Sequence, residues 1–239
     1  MTKEHTMTTS PTLAAIIDAN PATAGILEHH QLDYCCGGQR TLDQACAERD
    51  LDPAAILAEL EEVQPEAAPD WTTMSPAALV NHIESTHHRY LHEELPRLAA
   101  LTDKVLDVHG TRHPELHDVE VTFTELREDL EPHLTKEERV LFPMIRELAA
   151  ATTAPTFPCG SLANPIRMML LEHDRAGELL ATLRGTTGGF EPPTDACASY
   201  QALYRGLAEV EADTHLHVHK ENNVLFPAVL ALEDALSTQ

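Results

Sequence analysis

Apolar residues recur at helical spacing along almost the whole chain, with no sustained period-two alternation that would signal strands. From residue 12 to 63 they come in short runs cut by turn formers. Asn20-Pro21 separates one short helix from the next, and Leu32–Arg40 (LDYCCGGQR) is a loop punctuated by Gly37-Gly38. Thr41 with Gln44 fits a capping box opening a helix over 42–50. Asp52-Pro53 fits a cap followed by proline at the first helical position, opening a helix to about Val63. Gln64–Asp70 (QPEAAPD) carries two prolines and no periodicity, and reads as a linker. Four long amphipathic segments follow: Ser75-Pro76 to about Leu106, Pro114 to about Ala150, Asn164-Pro165 to about Arg184, and Thr194 to about Leu232. Pro96, Pro132, Pro143 and Pro227 are expected to kink or end them. Four such helices with short connections predict an all-α chain: an antiparallel four-helix bundle over 71–239, preceded by a small helical domain over 1–70 whose first ten residues form a flexible tail.

Composition sharpens this picture. The chain is 43% hydrophobic but only 4% aromatic, and Ala and Leu, both helix formers, dominate. The formal net charge of −23 disfavours nucleic acid and anionic membrane partners. No segment approaches the ~20 apolar residues of a membrane span, and the polar start MTKEHTMTTSPT has no signal-peptide core. Five cysteines, an odd count with two adjacent, do not form a secreted disulfide framework, so a reducing cytoplasm is the expected location.

Fifteen histidines stand out, and two of them open a repeat. His133–Pro143 reads HLTKEERVLFP and His217–Pro227 reads HVHKENNVLFP, identical at seven of eleven positions. Residues i and i+4 share a helix face, so His133 with Glu137, and His217 with Glu221, can each reach one centre. The His-x3-Glu spacing alone is weak, because chance supplies ~1–2 such pairs here; the shared Val-Leu-Phe-Pro context is the signal of a duplicated hairpin. Moving His173 back by a similar offset lands on His88, although His87 and His92 flank that position. His88 lies ~27 Å before the expected end of its helix and His133 ~28 Å after the start of the next, so they meet at one depth; the second hairpin fits less well, ~17 Å against ~35 Å.

His88, His133, Glu137, His173, His217 and Glu221 are too many ligands for one structural zinc. They suit two octahedral metals bridged by the glutamates. Ferritin-like sites pair four glutamates with two histidines; here the ratio is inverted, which fits a hemerythrin-like di-iron centre with positions open to O2 or NO. His87, His92, His109, His113, His117, His215 and His219 read as surface or capped core residues.

With these residues in view, the chain resembles the iron–sulfur cluster repair di-iron proteins, the RIC family, from about Leu13 to Leu230. The resemblance is carried by DYCCGG (Asp33–Gly38), Thr41-Leu42, Trp71, EHDRAGELL (Glu172–Leu180) and ENNVLFP (Glu221–Pro227). It implies a two-iron, carboxylate-bridged centre on the same six residues and favours His88 over His87. It also implies repair of clusters damaged by nitric oxide or oxidants, with damaged iron–sulfur proteins as partners and NO or O2 as small ligands; a homodimer is left open. The alternatives are reduction of NO to N2O at the centre and an O2- or NO-binding sensor.

Cys35 and Cys36 sit in the glycine-flanked loop. Adjacent cysteines form only a strained, easily reduced disulfide, so they are the candidate redox thiols, expected as two exposed thiolates able to take iron or a nitrosyl group. Cys46 reads as core, and Cys159 and Cys197 carry no assignment.

Overall fold

The computed structural model describes residues 10–65 and 69–238. Most of the expected N-terminal tail (1–9) and the middle of the expected linker (66–68) lie outside the described residues. The chain separates into two compact units, Met1–Pro69 and Asp70–Gln239. Asp70 falls with the second unit because its carboxylate accepts the N–H of Thr72 at 3.1 Å and caps the 3-10 turn Trp71–Thr73.

The first unit holds α1 (Leu13–Ala19), α2 (Ala24–His29), α3 (Leu42–Ala47) and α4 (Pro53–Glu62). Both side chains of the Thr41–Gln44 capping box are engaged, and Asp52 caps α4. The helix expected to reach residue 50 stops at Ala47; the chain then turns through Asp50 (φ 54°), and the Leu51 amide donates back to the Cys46 carbonyl. Leu13, Ile17, Leu27, Tyr34, Leu42, Cys46 and Ile56 are buried.

The second unit is a ring of four rods. The first runs α5 (Pro76–Ile83), a π-helical turn (Glu84–His88) and α6 (Arg89–His109). The second runs α7 (Glu115–Lys136), a π turn (Glu137–Leu141) and α8 (Phe142–Ala150). The third is α9 (Ala163–Thr186), and the fourth runs α10 (Ala198–His219), a π turn (Lys220–Leu225) and α11 (Phe226–Ser237). α6 packs on α7 and α10, and α9 closes the ring against the same two helices. No described helix is long and apolar enough to cross a membrane.

Each rod buries one stripe. On α6 it is Leu91, Leu95, Leu98, Thr102 and Val105; on α7, Leu116, Val119, Phe123, Leu126 and Leu130; on α10, Leu203, Leu207, Val210 and Thr214. These alternate steps of three and four, the seam that packs knobs into holes. Fully burying each such side chain stabilises the fold by ~1.5–3 kcal/mol. α10 approaches α6 so closely at Gly206 that a Cβ there would come within 2.5 Å of Leu98 Cδ2.

One charge pair interrupts the apolar seam. Glu211 on α10 is 2% exposed and accepts the Arg184 Nε–H at 2.9 Å on both oxygens, with Nη2 as a third contact. Arg184→Ala strands that carboxylate, so unfolding free energy is expected to fall by about 3–5 kcal/mol. Restoring a neutral pair in Arg184→Met/Glu211→Leu should recover most of it; urea melts of both variants check this.

Three expectations are corrected. None of the four prolines ends a rod: Pro96 and Pro132 lie inside α6 and α7, which continue through them, and Pro143 and Pro227 lie in the first turns of α8 and α11 directly after π turns. Asn164 does not cap α9: the helix starts at Ala163, the Leu162 amide donates to Glu233 at 2.9 Å, and Asn164 itself donates to the Cys159 carbonyl. The fourth rod begins at Ala198, four residues later than expected, with Cys197 at its cap, and ends at Ser237. These shifts reduce the depth mismatch of the second hairpin: His173 lies ~20 Å from the end of α9 and His217 ~29 Å from the start of α10.

Candidate metal centre

The buried stripes do not stop where the apolar residues stop. One step beyond Leu91 on α6 lies His88; beyond Leu130 on α7 lie His133 and Glu137; beyond Thr214 on α10 lie His217 and Glu221; and His173 lies between Met169 and Ala176 on α9. All six side chains occupy core positions and are 0–2% exposed. The bundle thus turns six polar groups onto its own axis at one level.

Their arrangement is two overlapping groups. His88, Glu137, His217 and Glu221 bring one donor atom each to within 4.8 Å of one another, and so do His133, Glu137, His173 and Glu221. Both glutamates belong to both groups. The imidazoles meet in pairs, His88 Nε2 3.1 Å from His217 Nε2 and His133 Nε2 3.2 Å from His173 Nε2. Each Nε2 also lies 3.1–3.4 Å from a carboxylate oxygen.

Apposed imidazole nitrogens and buried carboxylates need something between them. All four carboxylate oxygens are buried without a well-formed hydrogen bond, a costly state for ionised groups. Burial pushes both carboxyl groups upward, yet the surrounding imidazoles outweigh it and hold both below the ordinary range. Burial likewise works against a charge on His133, but the Glu137 carboxylate and a hydrogen bond donated to Glu172 lift it to about 10. A ring of anionic oxygens facing nitrogen donors is the setting that a cation satisfies, displacing those protons. The residues present therefore fit a metal-bound centre.

The outward ring nitrogens are held by a further layer. His88 Nδ1 lies 3.1 Å from Glu138 Oε1, His133 Nδ1 2.9 Å from Glu172 Oε2, and His173 Nδ1 2.7 Å from Asn222 Oδ1. With Nε2 turned inward, each Nδ1–H donates to its oxygen, which fixes tautomer and ring orientation.

Sequence comparison sharpens what the centre belongs to. Residues 79–229 match the family described as "Hemerythrin HHE cation binding domain", and residues 9–64 match "Domain of Unknown function (DUF542)". Over 223 residues the chain is 37% identical to "Iron-sulfur cluster repair protein YtfE" of Enterobacter sp. (strain 638), covering 92% of this chain and 97% of that one. It is 38% identical over 215 residues to the protein of the same name from Citrobacter koseri, covering 89% and 93%. The chain belongs to the iron-sulfur cluster repair protein family. A "Probable iron-sulfur cluster repair protein" of Haemophilus influenzae matches at 37% over 214 residues, 88% of this chain and 92% of that one.

In this repair-family chain the sequence reading named the six inner residues that the bundle brings together and did not name the outer ones. Glu138, Glu172 and Asn222 each sit one position from an inner residue, a step of about 100° round the helix. From there they reach the ring on a neighbouring rod. A polar neighbour beside Glu137, His173 and Glu221 was the available signal; His133 and His217 have only apolar neighbours. Lys220 was also missed. It is 4% exposed, its Nζ lies 4.4 Å from the Trp71 ring centroid, and it contacts His87 Nε2 at 2.7 Å and His82 Nε2 at 3.1 Å. Burial lowers it to about 8. His87 is a capped core histidine: Asp213 holds its Nδ1 at 2.8 Å and its ring stacks on His217.

The π turns were missed as well. The Phe142 amide reaches back five residues to the Glu137 carbonyl, and the Phe226 amide to that of Glu221. Pro143 and Pro227 follow, with no N–H to continue the four-residue ladder. The buried series His133, Glu137, Leu141, Ile145 takes three steps of four, and so does His217, Glu221, Leu225, Val229. In plain α-helix that would carry the series about 120° round the axis. The wider turn takes up the drift, and it lies where function concentrates.

In the first unit the Asp33 carboxylate accepts the amides of Cys35, Cys36 and Gly37 at 2.9–3.1 Å and shapes the loop. The expectation of two exposed thiolates is corrected. Cys35 is 6% exposed, and the neighbouring Cys36 thiol together with burial raises it well above the usual thiol range. The two sulfurs are 3.9 Å apart and not bonded to each other.

Proposed function

We propose that His88, His133, Glu137, His173, His217 and Glu221 hold two iron ions, bridged by Glu137 and Glu221, and that the protein supplies this iron to cytoplasmic iron–sulfur proteins whose clusters nitric oxide or oxidants have damaged. The observation that carries the reading is the sharing of both buried glutamates by both donor groups. Bound iron in such a centre supplies a redox-active cation with positions open to NO or O2. The chain's own contribution is charge and shape. Two carboxylates neutralise only part of the charge of two dications, where a ferritin-like set of four does more. Neutral imidazoles complete the set, a combination suited to release as well as retention. The acidic surface, −23 overall, draws cations towards the protein. In the first unit Cys36, the more accessible thiol, is the proposed point of thiol chemistry, with Cys35 beside it.

The repair role of the relatives, taken from their names, favours delivery over NO reduction or reversible O2 carriage. Iron-loaded protein is expected to restore activity to an NO-damaged cluster enzyme faster than the same quantity of free ferrous iron, and His88→Ala is expected to lose part of that advantage. Equal recovery with wild type, His88→Ala and free iron would reject delivery. Continued N2O formation over many turnovers would put NO reduction in its place.

A further inference from the structure

The two donor groups are alike in their inner residues and unlike in what stands behind them. In the His133–His173 group each imidazole has its own acceptor. Glu172 gives Oε2 to His133, while its other oxygen takes Lys136, and Asn222 gives Oδ1 to His173 at 2.7 Å. In the His88–His217 group the support is thinner. Glu138 Oε1 is divided between His88 Nδ1 at 3.1 Å and His92 Nε2 at 2.8 Å. His217 Nδ1 is buried with no acceptor among the described residues. The group packed on that ring is His87, stacked at 5.5 Å with an interplanar angle of 8°. Its own nitrogens are taken by Asp213 and Lys220, so it offers His217 a face and no oxygen.

An acceptor behind a metal-binding imidazole raises the basicity of the inward nitrogen and locks the ring, and losing one typically costs 10–100-fold in metal affinity. We propose that the two positions hold iron unequally, and that the one between His88 and His217 is the one that gives its iron up, while the His133–His173 position, braced by Glu172 and Asn222, retains it. This rests on the iron-delivery reading above. Asn222 is then a positioning residue: it touches no metal and acts through His173.

The test uses the full chain loaded with ferrous iron under anaerobic conditions and mixed with an excess of a ferrous chelator. Iron is expected to leave in two phases of similar amplitude, with rates about 10–100-fold apart. His217→Ala should keep only the slow phase and His173→Ala only the fast one. Asn222→Ala should speed the slow phase about tenfold or more, and Asn222→Asp, which keeps an acceptor oxygen, should restore it. A single phase in wild type, or the reverse assignment in the two histidine variants, overturns the inference while leaving delivery standing. A wild-type chain that takes up no iron ends both. If both histidine variants lose all iron, the Asn222 pair decides: a slow phase that Asn222→Ala does not move overturns the proposal.

Discussion

Replacing both shared carboxylates, Glu137→Gln with Glu221→Gln, is expected to abolish metal binding and yet to leave a protein more stable than the metal-stripped wild type. The two effects have one cause. Both carboxylates are fully buried and their oxygens lack well-formed hydrogen bonds. They are held ionised by the imidazoles around them. Replacing a buried charge network by neutral groups of similar volume is commonly neutral or stabilising by about 1–4 kcal/mol. His88 and His133, whose charge Glu137 favours, lose that support beside the new amides. For a chain of this size each kcal/mol moves the melting temperature by about 2–4 °C. Metal analysis and calorimetry on the same samples check both halves. A variant that loses metal and also melts below the stripped wild type would mean the carboxylates brace the fold by themselves.

Removing the metal from the wild type is expected to have the larger thermal effect, in the opposite direction. A ligand that binds only the folded chain adds about 4 kcal/mol when present at a thousand times its dissociation constant. Stripping a single such site should therefore lower the melting temperature by about 8–16 °C, and the double glutamine variant should not respond to the chelator at all. The loss should be confined to the second unit, since the inner residues all lie there. Its apolar seam above the ligand level uses none of the inner residues, so the stripped protein should keep its far-ultraviolet helical signal at 25 °C. Collapse of that signal on chelation would show that the seam cannot hold the bundle alone.

Much of this was legible in the residues. The repeated His-x3-Glu windows and their Val-Leu-Phe-Pro tails pointed to four inner residues, the repeat offset pointed to His173 and the region of His88, and the family resemblance favoured His88 over His87. These signals are legible because a helix maps sequence spacing directly onto one face. What stayed hidden needed information that spacing does not carry. Asn164-Pro165 looked like a helix start, but Glu233 from the fourth rod takes over the capping at Leu162, a tertiary contact no local pattern announces. The Cys35 thiol looked exposed because its loop is rich in glycine, yet Asp33 gathers three successive amides and turns that side chain inward. The prolines at 143 and 227 looked like breaks. They mark instead the places where the backbone ladder changes pitch.

That change of pitch has a mechanical consequence. A π turn is a helix carrying one residue too many, held open locally while both flanks stay regular. Losing Arg139 or Val140 from the Glu137–Leu141 turn lets the backbone relax into ordinary α geometry with the flanks still in phase. Losing one higher on α7 swings His133 and Glu137 about 100° away from the axis. Length variation along these rods is thus cheap immediately beside the ligands and ruinous a few turns away, the reverse of what distance from a functional centre ordinarily implies.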